Sequence, residues 1–166
     1  PSPDQIARFN HEYAILNVLE DKGIIKVYDL LQYEKTLVIV FEDFGGFEIS
    51  KLKVTDSFED NSDTENKLNN KTITINQFLT LTIQIIAAIR YIHHNNIIHK
   101  DLNPSNILVN IESNQVKIID FGIASKLSRE KPQFNNKDIL EGTLAYISPE
   151  QTGRMNRSID YRTDYY

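Results

Sequence analysis

The residues best suited to chemistry in this sequence are two acids and an amide. Asp101 and Asn106 lie in the stretch IHKDLNPSNIL, and Asp120 begins the triplet DFG after the next apolar run. Taken singly, such residues are typical of turns and loops. Together they suit phosphate chemistry, because an acid can accept a hydroxyl proton and Mg²⁺ needs only one or two protein oxygens when phosphate and water complete its octahedron. The spacing predicts a site that takes up a proton and holds magnesium.

Two short strands and a long helix are predicted to position these residues. The runs NILVNI and VKIIDF are typical of strands, joined at residues 112–115 as a small hairpin. Before them, residues 76–95 predict a helix that Asn76 caps. Its apolar stripe is widened by Ile83 and Ile86, which predicts burial on several sides. The stripe itself comprises Phe78, Leu81, Ile85, Ile89 and Ile92.

A helix followed by a hairpin is predicted at the start of the chain. Ser2 is placed to cap the helix, with Pro3 in its first position and Gln5 completing a capping box. The helix should end before Gly23, and the runs IIKVYDLLQY and TLVIVFEDF then predict the two strands. From residue 55 to 71 the chain is polar, which predicts a mobile surface insert. The predicted apolar face of the helix consists of Ile6, Phe9, Tyr13 and Leu16.

Composition restricts the class of protein. With 166 residues, 40% of them hydrophobic and 25% charged, the chain suits one globular domain. Its net charge of −5 argues against a nucleic-acid partner. The absence of cysteine excludes a disulfide scaffold and thiolate chemistry, and leads us to expect a reducing, cytoplasmic location. No uncharged stretch reaches the roughly 20 residues of a bilayer span, so no membrane span is predicted.

The motifs, in this order, resemble those of the eukaryotic-like protein kinases, whose catalytic loop reads HRDxxxxN and whose metal-binding triplet is DFG. Here the loop reads HKDLNPSN, the triplet is intact, and SPE stands where kinases end their activation segment with APE. Asp164 resembles the aspartate that opens the central helix of the C-lobe. The stretch FEDF at 41–44 resembles the passage from strand five into the hinge. The resemblance implies an α+β, protein-kinase-like two-lobe fold.

The resemblance also implies that the fold is present only in part. Residues 1–46 would hold helix C, strands four and five and the hinge of the N-lobe, and residues 47–75 a connector with the polar insert. Residues 76–166 would form the first half of the mainly helical C-lobe, with the catalytic loop and activation segment. The phrases FEDFGG, HKDLNPSNIL and EGTLAYISPEQTGRMNRSIDYRTDYY are most similar to the amino-terminal kinase module of bacterial multi-domain sensor proteins. Flanking signalling modules of the same protein are therefore expected partners.

Carried over residue by residue, the resemblance gives each position a role. Asp101 would orient the acceptor hydroxyl and accept its proton, while Asn106 and Asp120 would hold Mg²⁺. Backbone groups of Glu42 and Phe44 would meet the adenine of ATP. Beneath the adenine would lie Leu108, with Phe41 as gatekeeper, although core packing explains both of these apolar residues equally well. Glu12 would be the helix C glutamate and pair with a strand-three lysine, which this sequence does not contain.

Two positions in the catalytic loop depart from the general kinase pattern. Lys100 replaces the arginine that binds an activation-segment phosphate, and a point charge lacks that bidentate geometry. Asn103 stands at the catalytic position where Ser/Thr kinases carry a lysine. Because that cation stabilises the transferring phosphoryl group, its replacement predicts lower activity. Thr143 resembles the threonine that contacts the catalytic aspartate in Ser/Thr kinases, which favours that specificity.

The sequence therefore predicts a Ser/Thr protein kinase that uses ATP and Mg²⁺ to phosphorylate a protein hydroxyl. A pseudokinase or regulatory binding module is the alternative, favoured by Asn103 and by the missing lysine. A small-molecule phosphotransferase of the aminoglycoside or choline type is a third, disfavoured by the stretch EGTLAYISPE. Without a glycine-rich loop or the strand-three lysine, the 166 residues alone are expected to be inactive and poorly soluble.

Overall fold

The computed structural model describes residues 2–34, 36–55, 71–127, 142–153 and 157–166. Most of the predicted insert, residues 56–70, lies outside this part of the chain. Two helices are described, α1 (Pro3–Leu16) and α2 (Ile75–His94). Nine strands accompany them: β1 (Val27–Tyr33), β2 (Thr36–Phe41), β3 (Phe47–Glu48), β4 (Lys53–Thr55), β5 (Thr72–Thr74), β6 (Ile97–Ile98), β7 (Ile107–Asn110), β8 (Gln115–Ile118) and β9 (Ser125–Lys126). Short 3₁₀ helices cover Ile49–Lys51, Pro104–Asn106, Leu144–Tyr146 and Tyr161–Tyr165.

The predicted start of α1 is confirmed. The Ser2 hydroxyl accepts from the backbone of Gln5, whose side chain accepts from the Ser2 backbone in return. The predicted single apolar face is wrong for the first half of the helix, because only its last turn reaches the core. Ile6 and Phe9 are 38% and 41% exposed, whereas Leu16 is buried.

The first hairpin is also confirmed. Strands β1 and β2 pair antiparallel, with Tyr33 opposite Thr36 and Glu34 in the left-handed conformation that tight turns require. Phe41, at the end of β2, lies opposite Val27. Helix α1 packs on this hairpin, which leads directly into the predicted hinge at Glu42.

Helix α2 begins two residues earlier than the sequence predicts. Thr74, not Asn76, is the N-cap, and its side chain exchanges hydrogen bonds with Gln77 in a capping box. The predicted burial on several sides is wrong as well, because Ile83 and Ile86 are 68% and 61% exposed. One face alone reaches the core, through Leu81, Ala88 and Ile92.

The length and composition of α2 would also suffice for a membrane span, and it is the one described helix with that property. Length and composition alone do not distinguish such a span from the core helix of a domain. In this structure the helix contacts β4, β5, β6 and β8.

Short strands before and after α2 in the sequence build the frame of the site. Strands β3, β7 and β8 form an antiparallel sheet, in which the predicted hairpin pairs Ile107 with Ile118. Strand β6 pairs with β9, and β4 runs parallel to β5. A buried cluster joins α1 and α2 to the end of β8, and it includes Ile15, Ile92, Ile97, Ile118 and Phe121. The catalytic motifs therefore lie on loops that leave buried strands.

Candidate active site

The loop at residues 99–103 connects two buried anchors. It leaves β6 at His99, which is fully buried, and enters the 3₁₀ turn that leads into β7. Asn103 caps this turn, because its side-chain oxygen accepts from the backbone N–H of Ser105 at 2.9 Å. The loop is therefore fixed at both ends, and Asp101 lies between them.

Three donors hold the carboxylate of Asp101. The backbone N–H of Thr143 donates to Oδ1 at 2.8 Å, and the side-chain amide of Asn103 donates to the same oxygen at 3.1 Å. The side-chain amide of Asn106 donates to Oδ2 at 3.2 Å. Gly142 allows the approach of Thr143, because its φ of +113° is a backbone conformation that residues with a Cβ rarely adopt. The Asp101 carboxylate is thus oriented by Asn103 and Asn106, which follow it closely in the sequence, and by Thr143, which is distant from it in the sequence.

Asn106 and Asp120 lie at the same end of the β7–β8 hairpin. The backbone N–H of Ile119 donates to the carbonyl of Asn106 at 3.0 Å, so Asp120 follows directly beside it. The Asn106 amide nitrogen donates to the Asp101 backbone at 2.9 Å, which leaves its side-chain oxygen as the ligand atom. A carboxylate and an amide oxygen are hard ligands, and they fit Mg²⁺ completed by phosphate and water. Within the described ranges, no group of three His, Cys, Asp or Glu side chains could hold a metal ion alone.

His99 is fully buried, so it is not exposed to a substrate, and its ring hydrogen-bonds to the loop that holds Asp101. Its Nε2 donates to the carbonyl of Ile119 at 3.0 Å, and its Nδ1 accepts from the backbone N–H of Asp101 at 3.3 Å. Its ring centroid lies 4.6 Å from that of Phe121. Burial lowers the pKa of the His99 imidazole, against the opposing effect of nearby acids, chiefly Asp164. The neutral ring therefore links the catalytic loop to the strand that leads to Asp120.

Asp164 binds the same loop from the other end of the chain. One carboxylate oxygen accepts from the backbone N–H of His99 at 2.9 Å, and the other accepts from that of Lys100 at 2.8 Å. The first oxygen also pairs with Nε2 of His93 at 2.7 Å, at the end of α2. Asp164 therefore ties together the catalytic loop and the last turn of α2.

Comparison with known proteins identifies the family. The protein kinase domain family matches residues 2–166. The chain belongs to the protein kinase family. This confirms the α+β kinase-like fold predicted from the motifs, and the family implies ATP as the phosphoryl donor.

Named relatives of this kinase domain come from animals and bacteria. It is 32% identical to myosin light chain kinase 3 of Danio rerio over 142 residues, or 84% of this chain and 17% of that protein. It is 33% identical to serine/threonine-protein kinase dkf-2 of Caenorhabditis briggsae over 153 residues, covering 90% and 11%. It is 30% identical to serine/threonine-protein kinase PrkC of Bacillus subtilis (strain 168) over 146 residues, covering 88% and 20%. The chain thus spans a fifth or less of the length of these relatives.

In this kinase domain the predicted helix C glutamate contacts the DFG triplet. Glu12 accepts from the backbone N–H of Phe121 at 3.3 Å. Burial is the main cause that raises the pKa of the Glu12 carboxyl, with a further contribution from Asp120, while the Phe121 N–H and Arg8 act in the opposite direction. The site would therefore gain from a cation beside Glu12, as the strand-three lysine of the family would provide.

The predicted adenine-binding residues lie where β2 passes into β3. The backbone N–H of Glu42 donates to the Lys26 carbonyl at 3.0 Å, so the Glu42 carbonyl is the backbone group of this residue that would meet the adenine. The carbonyl of Phe44 accepts from the side chain of Asn110 at 2.9 Å, so the N–H is the group of Phe44 that would meet the adenine. Leu108, in β7, pairs with Glu48 of β3 at the exit of the hinge.

Two contacts of the site are absent from the sequence predictions. The side chain of Glu42 forms an ion pair with Lys117, and Gln151 donates to the Lys100 carbonyl at 2.8 Å. The sequence does contain an indication of the Lys117 contact, because Lys117 is a charged residue in the apolar run VKIIDF. Such a charge in a strand that is otherwise buried predicts an ion-pair partner, although it does not indicate which one.

Proposed function

We propose that this kinase domain is part of a Ser/Thr protein kinase that transfers the γ-phosphoryl group of ATP to a protein hydroxyl with Mg²⁺. The observation that carries the proposal is the carboxylate of Asp101, which the Thr143 backbone and the side chains of Asn103 and Asn106 hold in place. Asn106 in turn accepts from the backbone N–H of Ile119, the residue before Asp120. Two of the relatives, dkf-2 and PrkC, are serine/threonine-protein kinases by name.

Asp101, Asn106 and Asp120 have separate roles in the proposed phosphoryl transfer. Asp101 accepts the proton of the acceptor hydroxyl, and the backbone N–H of Thr143 helps to fix its carboxylate. Asn106 and Asp120 would hold Mg²⁺ through their side-chain oxygens, and the ion would supply positive charge to the phosphates there. Because positioning dominates phosphoryl transfer, the hydrogen bonds that fix Asp101 are the main contribution of this part of the chain.

Thr143 supports a serine or threonine acceptor. Its backbone binds Asp101, and its hydroxyl accepts from Asn103 at 3.2 Å. The last part of the activation segment therefore contacts the catalytic acid directly. We further propose a reducing, cytoplasmic location and signalling modules of the same protein as neighbours, on the basis of the cysteine-free composition and of the multi-domain resemblance.

A pseudokinase is the second candidate, and Asn103 is the observation that favours it. A neutral amide at this position cannot supply the positive charge that a lysine would direct at the transferring phosphoryl group. The side chain instead bonds to Asp101 and Thr143, so it organises the loop without providing that charge. A pseudokinase or regulatory binding module would keep this fold and signal by interaction, without transferring phosphate.

Phosphate transfer from labelled ATP to a protein substrate by the natural protein that carries this domain tests the proposal. Asp101→Asn should lower transfer by roughly 10²–10⁴-fold, the range typical of a general base, while ATP affinity stays within twofold. Asp29→Asn makes the same chemical change at an exposed position of β1 and should leave transfer unchanged. ATP binding without transfer by the parent protein would favour the pseudokinase instead.

A further inference from the structure

The peptide that precedes the catalytic acid has an unfavourable conformation. Lys100 has φ +69°, in the left-handed region that residues with a Cβ rarely adopt. This residue has no glycine-like freedom, so neighbouring groups must hold the backbone there. The carbonyl of Lys100 and the N–H of Asp101 belong to one planar peptide unit, and whatever holds that unit sets the direction of Asp101.

Side chains hold this peptide unit on both edges. On one edge, Nε2 of Gln151 donates to the Lys100 carbonyl at 2.8 Å. On the other edge, the Asp101 N–H donates to Nδ1 of His99 at 3.3 Å. The N–H of Lys100 itself is bound by Asp164 at 2.8 Å. Of these groups, Gln151 alone belongs to the segment at 142–153, which also supplies Thr143 to the acid.

The orientation of the Gln151 amide is fixed by Ser148. The backbone N–H of Ser148 donates to Oε1 of Gln151 at 3.0 Å, and the Ser148 hydroxyl donates to the same oxygen at 3.1 Å. Ser148 is 1% exposed, so these bonds are shielded from water. Because the amide oxygen serves as acceptor for two donors, the amide nitrogen must face Lys100.

We propose that Gln151 is a positioning residue for phosphoryl transfer, which holds the Lys100–Asp101 peptide in place and thereby directs the Asp101 carboxylate. The proposal rests on the proposed kinase function. The segment at 142–153 then aligns Asp101 through two contacts. Thr143 binds the carboxylate, and Gln151 binds the peptide unit that precedes it. Displacing that segment would release both contacts together.

The kinetic test uses the natural protein that carries this domain and compares Gln151→Glu with Gln115→Glu. The first variant keeps an oxygen for Ser148 but replaces the donor to Lys100 with a second acceptor, while the second makes the same change at an exposed residue of β8. We expect Gln151→Glu to lower kcat by about 10- to 100-fold at unchanged KM for ATP, as misplacement of a catalytic group does. In the Asp101→Asn background the same change should cause no further loss, because its effect passes through Asp101.

A second measurement does not depend on activity. Hydrogen exchange of the backbone at residues 98–103 should be faster in Gln151→Glu than in the parent and unchanged in Gln115→Glu. If Gln151→Glu fails to fold, Gln151→Met, which removes the donor without adding charge, replaces it in both experiments. Unchanged kcat, a raised KM with unchanged kcat, an equal further loss in the Asp101→Asn background, or unchanged exchange would overturn the proposal. A parent protein without transfer contradicts the kinase function, and the exchange measurement then decides on the role of Gln151 alone.

Discussion

Glu42 and Lys117 form an ion pair, with 2.7 Å between Oε1 and Nζ, that joins the predicted hinge to the strand leading to Asp120. Both side chains are largely buried, at 19% and 11% exposure. Lys117 also donates to the carbonyl of Ile24 at 3.2 Å and lies 5.5 Å from the centre of the Phe44 ring. A single lysine therefore connects the predicted hinge to the strand that leads to Asp120, the proposed metal ligand.

Removing that lysine should leave an unpaired buried charge. We expect Lys117→Met to lower the free energy of unfolding by about 3 kcal/mol, because Glu42 loses its partner in a site shielded from water. Changing Glu42 to Gln in the same protein should recover part of the loss. Urea denaturation measures both effects, and Lys53→Met on the exposed face of β4 is the control. Equal stability of Lys117→Met and Lys53→Met would contradict this account of the ion pair.

The metal assignment predicts the behaviour of Asp120→Asn. We expect this variant to keep its fold and to lose the Mg²⁺-dependent part of ATP binding, because an amide is a much weaker ligand for Mg²⁺ than a carboxylate. Isothermal titration with ATP, in the presence and absence of Mg²⁺, measures that part directly. Asp29→Asn should retain it. An unchanged affinity of Asp120→Asn for Mg-ATP would remove Asp120 from the metal site.

Asn103 offers a gain-of-function prediction. Asn103→Lys would place a cation beside the carboxylate of Asp101, where it can still donate a hydrogen bond. We expect phosphate transfer to rise by about 10- to 100-fold, since a preorganised charge stabilises the transferring group. No gain should occur when Asp101 is changed to Asn in the same protein. A decrease in transfer by Asn103→Lys would mean that the contacts of Asn103 with Asp101 and Thr143 outweigh the missing charge.

The buried His99 predicts a pH dependence of stability. Its pKa is lowered in the folded state, mainly by burial, so the unfolded chain takes up a proton below the ordinary value of 6.5 that the folded chain does not. Stability should therefore fall as the pH drops below about 6.5, with a limiting slope of about 1.4 kcal/mol per pH unit from this residue. Protonation would also deprive the Asp101 N–H of its acceptor.

Urea denaturation between pH 7 and pH 5 measures this slope. His99→Asn should be less stable at pH 7 but show a flatter pH dependence than the parent protein. His94→Asn, at an exposed position near the end of α2, should keep the slope of the parent. Parallel pH profiles of His99→Asn and the parent would exclude His99 as the source.

Local signals allowed the elements and the acids of the site to be predicted. The reciprocal bonds of Ser2 and Gln5 need only neighbouring residues, and so does the left-handed turn at Glu34. The same logic explains the one misplaced cap. Thr74 is followed three residues later by Gln77, which can return its hydrogen bond, whereas Asn76 is followed by the apolar Leu79.

Contacts between distant segments could not be predicted in this way. Nothing near Lys117 in the sequence indicates that Glu42 is its partner, and nothing near Gln151 indicates the Lys100 carbonyl. The exposure of Ile83 has the same origin, because an apolar residue on a helix does not show which of its faces another element covers. Such pairings depend on the tertiary arrangement, whereas caps and turns depend on the local chain.

The parallel pairing of β4 and β5 has a consequence for how such domains diversify. Lys53 lies opposite Thr72, and Thr55 lies opposite Thr74, so the sequence that joins these strands leaves at one end of a three-residue ladder and returns at the other. Ile73, in the second strand, is 2% exposed and anchors that ladder to the core. We expect that the sequence joining the two strands can be exchanged, or a reporter inserted there, provided that the replacement spans the length of this ladder.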